Sequence, residues 1–249
     1  MILFYIRHGD PTYVPDELTP LGRRQAESVA KRLAQFGIDE VYSSTSTRAM
    51  QTAEPTCEIT KNELQTLDWM HESKAAKDMT LQSVSGRKEW VWSHEKYSQI
   101  LSSKECRELG NLWYEHPALK EFDLGRTPKR VGAELDAWLA GFGYEHDRDR
   151  GMYKITSNEY ADKRIALFAH EGVGKVFMSE LLDIPFPYYA VPFDMHHTGV
   201  TAINFDVGDD IYSYGGYARP RVMTHSNDAH LFRDGLPMEH IYTRLKEKY

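Results

Sequence analysis

The chain is poor in cysteine: Cys57 and Cys106 are the only two among 249 residues, far apart and in no CxxC pair. That excludes a disulfide-stapled scaffold and fits two reduced thiols in a cytoplasmic protein. Long apolar runs are also missing. The run Met1 to Ile6 meets Arg7 at once, too short for a signal-peptide core, and no stretch approaches the length of a membrane span. The expectation is a soluble cytoplasmic protein with no membrane partner. Basic residues are outnumbered, 30 Lys and Arg against 37 Asp and Glu, for a formal charge of -7. An acidic balance argues against a nucleic-acid partner, which needs clustered Lys and Arg. It leaves room for a small anion, which responds to the local field of a cleft. There is no Walker-type loop, no internal repeat and no low-complexity linker. His196-His197 has no second ligand pair at metal-like spacing, so neither a metal nor a cofactor is expected. The sequence carries no signal for oligomeric state.

What is present reads as strand alternating with helix. Ile2 to Ile6 is a short apolar run suited to a buried parallel strand. Thr19-Pro20 supplies an N-cap and a first-turn proline, Leu21, Ala26, Val29, Ala30, Leu33 and Phe36 recur at helical spacing, and Gly37 stops the helix. Ile38 to Ser44 reads as a strand, Ser46 to about Cys57 as a helix, and Glu63 to Asp68 as a third short strand. The pattern resumes with a strand from Arg164 to His170, a helix from Gly172 to Leu182, and strands over Gly199–Asp206 and Ile211–Tyr217 joined by a turn at Gly208-Asp209-Asp210. This order predicts an α/β three-layer sandwich, with a mostly parallel central sheet and helices on both faces. One domain, 1–249, is expected, with a helical insertion over about 69–155 packed at the active-site end. Within it a helix starts near Thr127-Pro128, and Trp90, Trp92, Trp113 and Trp138 read as core residues. His94, His116, His146, His225, His230 and His240 read as scattered surface or core residues.

Three strand ends carry the informative residues. Arg7-His8-Gly9 follows the first strand. Ser43 to Ala49, with Arg48, follows the second and opens a helix, where free N–H groups and the helix dipole favour an anion. Ala169-His170-Glu171-Gly172 stands at a third strand-to-helix junction. Ligands of open α/β sheets bind beyond the carboxyl ends of the strands. Two arginines and two histidines gathered there can neutralise a phosphoryl dianion and the charge of its transition state.

Arg7-His8-Gly9, the Ser44 to Ala53 segment with Arg48, and the late His170 resemble the histidine phosphatase superfamily, which includes cofactor-dependent phosphoglycerate mutases. The resemblance spans roughly residues 1–68 and 160–217. It implies that His8 attacks phosphorus and becomes phosphohistidine, while Arg7, Arg48 and His170 hold the non-bridging oxygens. The family also places a carboxylate soon after the third strand as proton donor. Glu72, in a Trp-x-x-Glu arrangement with Trp69, matches best; Asp68 is the second candidate and Glu171 the third. Gly9, Tyr13 and Glu171 are candidate substrate-pocket residues. The first motif departs from the family pattern: Asp10-Pro11-Thr12-Tyr13 stands where mutases and many phosphatases continue with Glu or Ser, Thr and a substrate-touching Asn. That departure favours a metal-independent phosphatase acting on a small phosphate monoester. The alternatives are a phosphoglycerate mutase and a phosphate sensor without catalysis.

Overall fold

The computed structural model describes residues 1–206 and 215–238. The chain opens with β1 (Ile2–Arg7), then a small hairpin of β2 (Pro11–Tyr13) and β3 (Asp16–Leu18). Helix α1 (Pro20–Phe36) begins as its sequence requires: the Thr19 side chain accepts the N–H of Gly22, and Gly37 closes the helix in the left-handed region at φ 69°. β4 (Glu40–Ser44) leads into α2 (Thr47–Thr60), capped by Ser46, and then into β5 (Leu64–Leu67). A short 3₁₀ turn over Asp68–Met70 precedes α3 (Glu72–Met79), followed by a hairpin of β6 (Thr80–Gln82) and β7 (Lys88–Trp90). Next come α4 (Tyr97–Ser102), α5 (Lys104–Glu108) and α6 (Arg126–Ala140). β8 (Tyr144–Asp147) and β9 (Met152–Ile155) pair as a hairpin. β10 (Arg164–Ala169) runs into α7 (Glu171–Leu182) and the single turn α8 (Phe186–Ala190). The described chain finishes with β11 (Val200–Asp206), β12 (Tyr217–Asn227) and α9 (Ala229–Arg233).

Eight strands form one sheet in the order β5-β4-β10-β1-β11-β12-β9-β8. β5, β4, β10 and β1 are parallel; β11, β12, β9 and β8 continue antiparallel. Alternation along the central strands builds two cores. Phe4, Ile6, Ala166 and Phe168 face α1 and α2 and pack with Val29, Leu33 and Ala53. Leu3, Tyr5, Ile165, Leu167 and Ala169 face the other way, toward Leu135 and Leu139 of α6 and Val173 and Phe177 of α7. Both strands are covered on both faces, which is why their sequences are continuously apolar. Truncating a central residue such as Phe168 to alanine would cost about 3–5 kcal/mol.

The 69–155 stretch is not wholly helical. Its helices share it with the β6–β7 hairpin, and β8 and β9 extend the main sheet. Tyr144-Glu145-His146-Asp147 lacks the apolar run that marks an interior strand, because β8 is an edge strand with one neighbour. The expected turn at 208–210, residues 211–214 of the expected last strand, and His240 lie outside the described residues; Tyr217 opens β12.

Candidate active site

β1, β4 and β10 are parallel and therefore end at one edge of the sheet. Arg7 is the last residue of β1, Arg48 sits in the first turn of α2 beyond β4, and His170 follows β10 as the residue before α7. These three junctions meet. The rings of His8 and His170 lie 5.1 Å apart, centroid to centroid, at 62°. Arg48 Nη2 is 3.0 Å from His170 Nδ1.

His8 is buried, and its Nδ1–H donates to the Gly9 carbonyl at 2.8 Å. That bond fixes the tautomer and leaves the lone pair on Nε2. Burial, with His170, Arg7 and Arg48 nearby, holds its pKa well below the usual imidazole range, so the ring is neutral. Gly9 supports the ring from beneath. Its N–H donates to Thr52 Oγ1 at 3.0 Å, and a Cβ added there would fall 2.7 Å from the Gly22 carbonyl oxygen of α1. Only glycine permits that approach.

Both arginines are braced by a carboxylate. Arg7 Nη1 lies 2.9 Å from Glu171 Oε2 and also donates to the Met195 carbonyl. Arg48 Nη1 lies 2.6 Å from Asp16 Oδ1, and its guanidinium stands over the Tyr13 ring at 5.3 Å. The Nε atoms of both arginines are buried and have no hydrogen-bond acceptor among the described residues, donors that an oxyanion can satisfy. His170 is fully buried and neutral, its pKa lowered by burial, Arg48, His71 and Arg7. Nδ1 accepts from Arg48, while Nε2 lies 2.9 Å from Ser44 Oγ and 3.2 Å from Ser46 Oγ. His170 therefore orients Arg48 in this arrangement.

A cavity of about 560 Å³ opens over this floor, lined by Arg7, His8, Tyr13, Arg48, Glu72, Glu171 and Gly172, with Trp90, Trp92, Ser93, Val191 and Asp194 completing it. The three carboxylate candidates now separate. Glu72 lines the cavity at the start of α3, and its two oxygens accept the N–H groups of Gly172 (2.9 Å) and Val173 (2.8 Å) from the first turn of α7. Burial raises its pKa despite those bonds and the two arginines. Glu171 also lines the cavity but is committed to Arg7 and to Lys175. Asp68 is exposed and bound to Lys74 and Thr45, does not line the cavity, and has its pKa lowered by those partners. A proton donor must be neutral at rest and reach the leaving group, so Asp68 fails on both counts.

Some site residues escape a reading of the sequence. Trp90 and Trp92 pack against the core as expected, but they also line the cavity. Trp90 presses so closely on α7 that a Cβ on Gly172 would lie 2.5 Å from its ring. His197 belongs beside His8, with ring centroids 5.6 Å apart, and burial lowers its pKa to about 3. Asp16 reaches Arg48 from the β2–β3 hairpin. Apart from the two tryptophans, read as core, only His197 draws notice in the sequence, as half of the His196-His197 pair for which no metal is expected. No cluster of three or more metal-ligating side chains occurs among the described residues, and no described helix is long and apolar enough to cross a membrane.

Residues 3–108 match the histidine phosphatase superfamily (branch 1). No curated protein matches the chain in sequence. Among solved structures, the chain resembles a mycobacterial glucosyl-3-phosphoglycerate phosphatase with a TM-score of 0.56 and 20% identity, covering 91% of this chain and 98% of that one. It resembles a phosphoserine phosphatase from Entamoeba histolytica, in complex with 3-phosphoglyceric acid, with a TM-score of 0.56 and 18% identity over 92% and 98% of the two chains. A mycobacterial protein described as hydrolase 2 aligns with a TM-score of 0.53 and 21% identity over 96% and 98%. At such identities the structural likeness speaks for the fold alone. Residues 3–108 thus carry the histidine phosphatase superfamily match and hold Arg7, His8 and Arg48, and the fold brings His170 to them.

Proposed function

We propose that this enzyme is a metal-independent phosphatase that hydrolyses a small phosphate monoester through phosphohistidine at His8. The observation that carries it is the hydrogen bond from His8 Nδ1 to the Gly9 carbonyl, which leaves the lone pair on Nε2 of a ring that lines the same cavity as Arg7 and Arg48. Nε2 attacks phosphorus and the P–O bond to the leaving group breaks. Arg7 and Arg48 hold the non-bridging oxygens, and the two guanidiniums supply the positive charge that a metal would otherwise bring. His170 belongs to the same clamp: it fixes Arg48 through Nδ1, and its Nε2–H, held by Ser44, is the donor it would turn toward a phosphoryl oxygen. Protonated Glu72 gives its proton to the departing oxygen. As a carboxylate it then takes a proton from water, whose oxygen attacks phosphorus, releasing inorganic phosphate and restoring His8.

The fold is shared with structures described as phosphatases. A Pro11-Thr12-Tyr13 strand in place of the polar mutase continuation favours water over a sugar acid as acceptor. The test is turnover of 4-nitrophenyl phosphate, in the presence and absence of a chelator, by wild type and His8→Ala. Chelator-resistant turnover that His8→Ala abolishes, with an acid-labile, alkali-stable phosphoprotein trapped only in wild type, is expected. Full activity in the variant rules the mechanism out.

A further inference from the structure

The cavity lining is chemically uneven. The floor holds the cations: Arg7 and Arg48 are the only positively charged side chains among its described lining residues, each already paired with a carboxylate. Trp90, Trp92, Ser93, Val191 and Asp194 make up much of the rest of the lining. Lys175 is fully buried, and its ammonium is spent on the carbonyls of Ala190 and Phe193 and on Asp194 and Glu171. A second anionic group on the substrate, once the phosphoryl group fills the floor, would meet indole and an already paired carboxylate, with no further cation among the described lining residues to receive it. A desolvated anion without a counter-charge is disfavoured.

The tryptophans supply an aromatic lining instead. Trp90 and Trp92 stack at 4.7 Å and 20°, and Trp92 is braced by the edge of Phe186 at 5.8 Å and by Lys175 at 5.7 Å. A wall held from three sides keeps its shape without a ligand. About 560 Å³ leaves room for a ring beyond the phosphoryl group.

Resting on the phosphatase reading, we infer that the preferred leaving group is an uncharged ring-bearing alcohol, lying against Trp92, with no second phosphate or carboxylate. A sugar face and a nucleoside base share that chemistry. The experiment measures kcat/KM on five esters: 4-nitrophenyl phosphate for basal hydrolysis, the near-isosteric pair glycerol 3-phosphate and 3-phosphoglycerate for charge, and ribose 5-phosphate and a nucleoside 5′-monophosphate for the ring. Glycerol 3-phosphate is expected to exceed 3-phosphoglycerate at least about tenfold. At least one ring ester should exceed glycerol 3-phosphate by about tenfold, and the better of the two identifies sugar or base. Asp194→Asn should narrow the charge preference several-fold. Trp92→Ala, or Trp92→Leu should the alanine variant not fold, should erase the ring preference. If 4-nitrophenyl phosphate is hydrolysed but 3-phosphoglycerate matches glycerol 3-phosphate, or neither ring ester is favoured, the inference is overturned and the phosphatase reading stands. No turnover of any ester overturns the phosphatase reading itself, and this inference with it.

Discussion

Asp16 Oδ1 accepts from Arg48 Nη1 at 2.6 Å, while Asp16 Oδ2 accepts the backbone N–H of Thr47 at 3.0 Å. One carboxylate on a three-residue strand thus fixes both the guanidinium and the helix end that carries it. Asp16→Ala is expected to lower kcat/KM on 4-nitrophenyl phosphate about tenfold, mainly through KM, because a loosened arginine binds the phosphoryl group less well before it affects the chemical step. Steady-state kinetics check this; unchanged KM and kcat would mean that Arg48 needs no brace.

Glu72 as proton donor matters in proportion to how poor the leaving group is. Glu72→Gln should cost about 10²–10⁴ in kcat on an alkyl ester such as glycerol 3-phosphate. On 4-nitrophenyl phosphate, whose phenolate departs without help, the loss should stay below about tenfold. Equal losses on both esters would remove Glu72 from the proton-transfer step.

The pH profile follows from two opposed shifts. Burial, His170 and the two arginines keep His8 unprotonated well into acid, and burial keeps the Glu72 proton on above the ordinary carboxylate range. The attacking ring must be neutral and the donor protonated. Activity on an alkyl ester should therefore hold at acidic pH and fall as pH rises through the raised Glu72 value. Glu72→Gln should abolish that alkaline limb in kcat at saturating substrate. An alkaline limb that persists in the variant assigns it to another group.

Away from the site, His146 of β8 lies between Asp136 of α6 and Asp183 beyond α7, with each ring nitrogen 2.8 Å from a carboxylate oxygen. Burial opposes a charge on the ring, but the two carboxylates outweigh it and raise the pKa. A proton held more tightly in the folded state stabilises fully below the unfolded value of about 6.5. That stability is lost as pH rises through the folded value. Tm of the wild type should fall between about pH 6 and pH 9 more steeply than that of His146→Gln, by roughly 2–4 °C for each kcal/mol lost. Parallel slopes in thermal melts would contradict this.

The gathering of Arg7, His8, Arg48 and His170 was legible in the sequence because each stands just beyond a strand, and the elements announce themselves locally: apolar runs for β1 and β10, the Ser46 cap for α2. Parallel pairing then brings the three junctions together with no further information. Glu72 was reachable through Trp69 three residues earlier. Asp16, His197, Asp194 and Trp92 were not, since each lies in a short hairpin or irregular segment whose position is set by what it packs against. Trp92 illustrates the ambiguity: its contact with Phe186 is a core contact and its place on the cavity a binding one, and the sequence signal for both is the same aromatic residue. The strand character of β8 was hidden for a related reason, since half of an edge strand faces water and its polar residues resemble a loop.

β11 runs against β1, with Val200 opposite Ile6, so it enters the sheet at the edge where the parallel strands leave it. The chain just before it, carrying Asp194 and His197, is thereby delivered to the cavity by a strand entrance, whereas His8 and the two arginines hang from strand exits. The residues proposed for the reaction and those proposed for recognition thus lie in separate stretches of chain. On the proposed reading, substitutions at Trp92 or Asp194 would change which ester is accepted while the end of β1 that carries His8 stays in place.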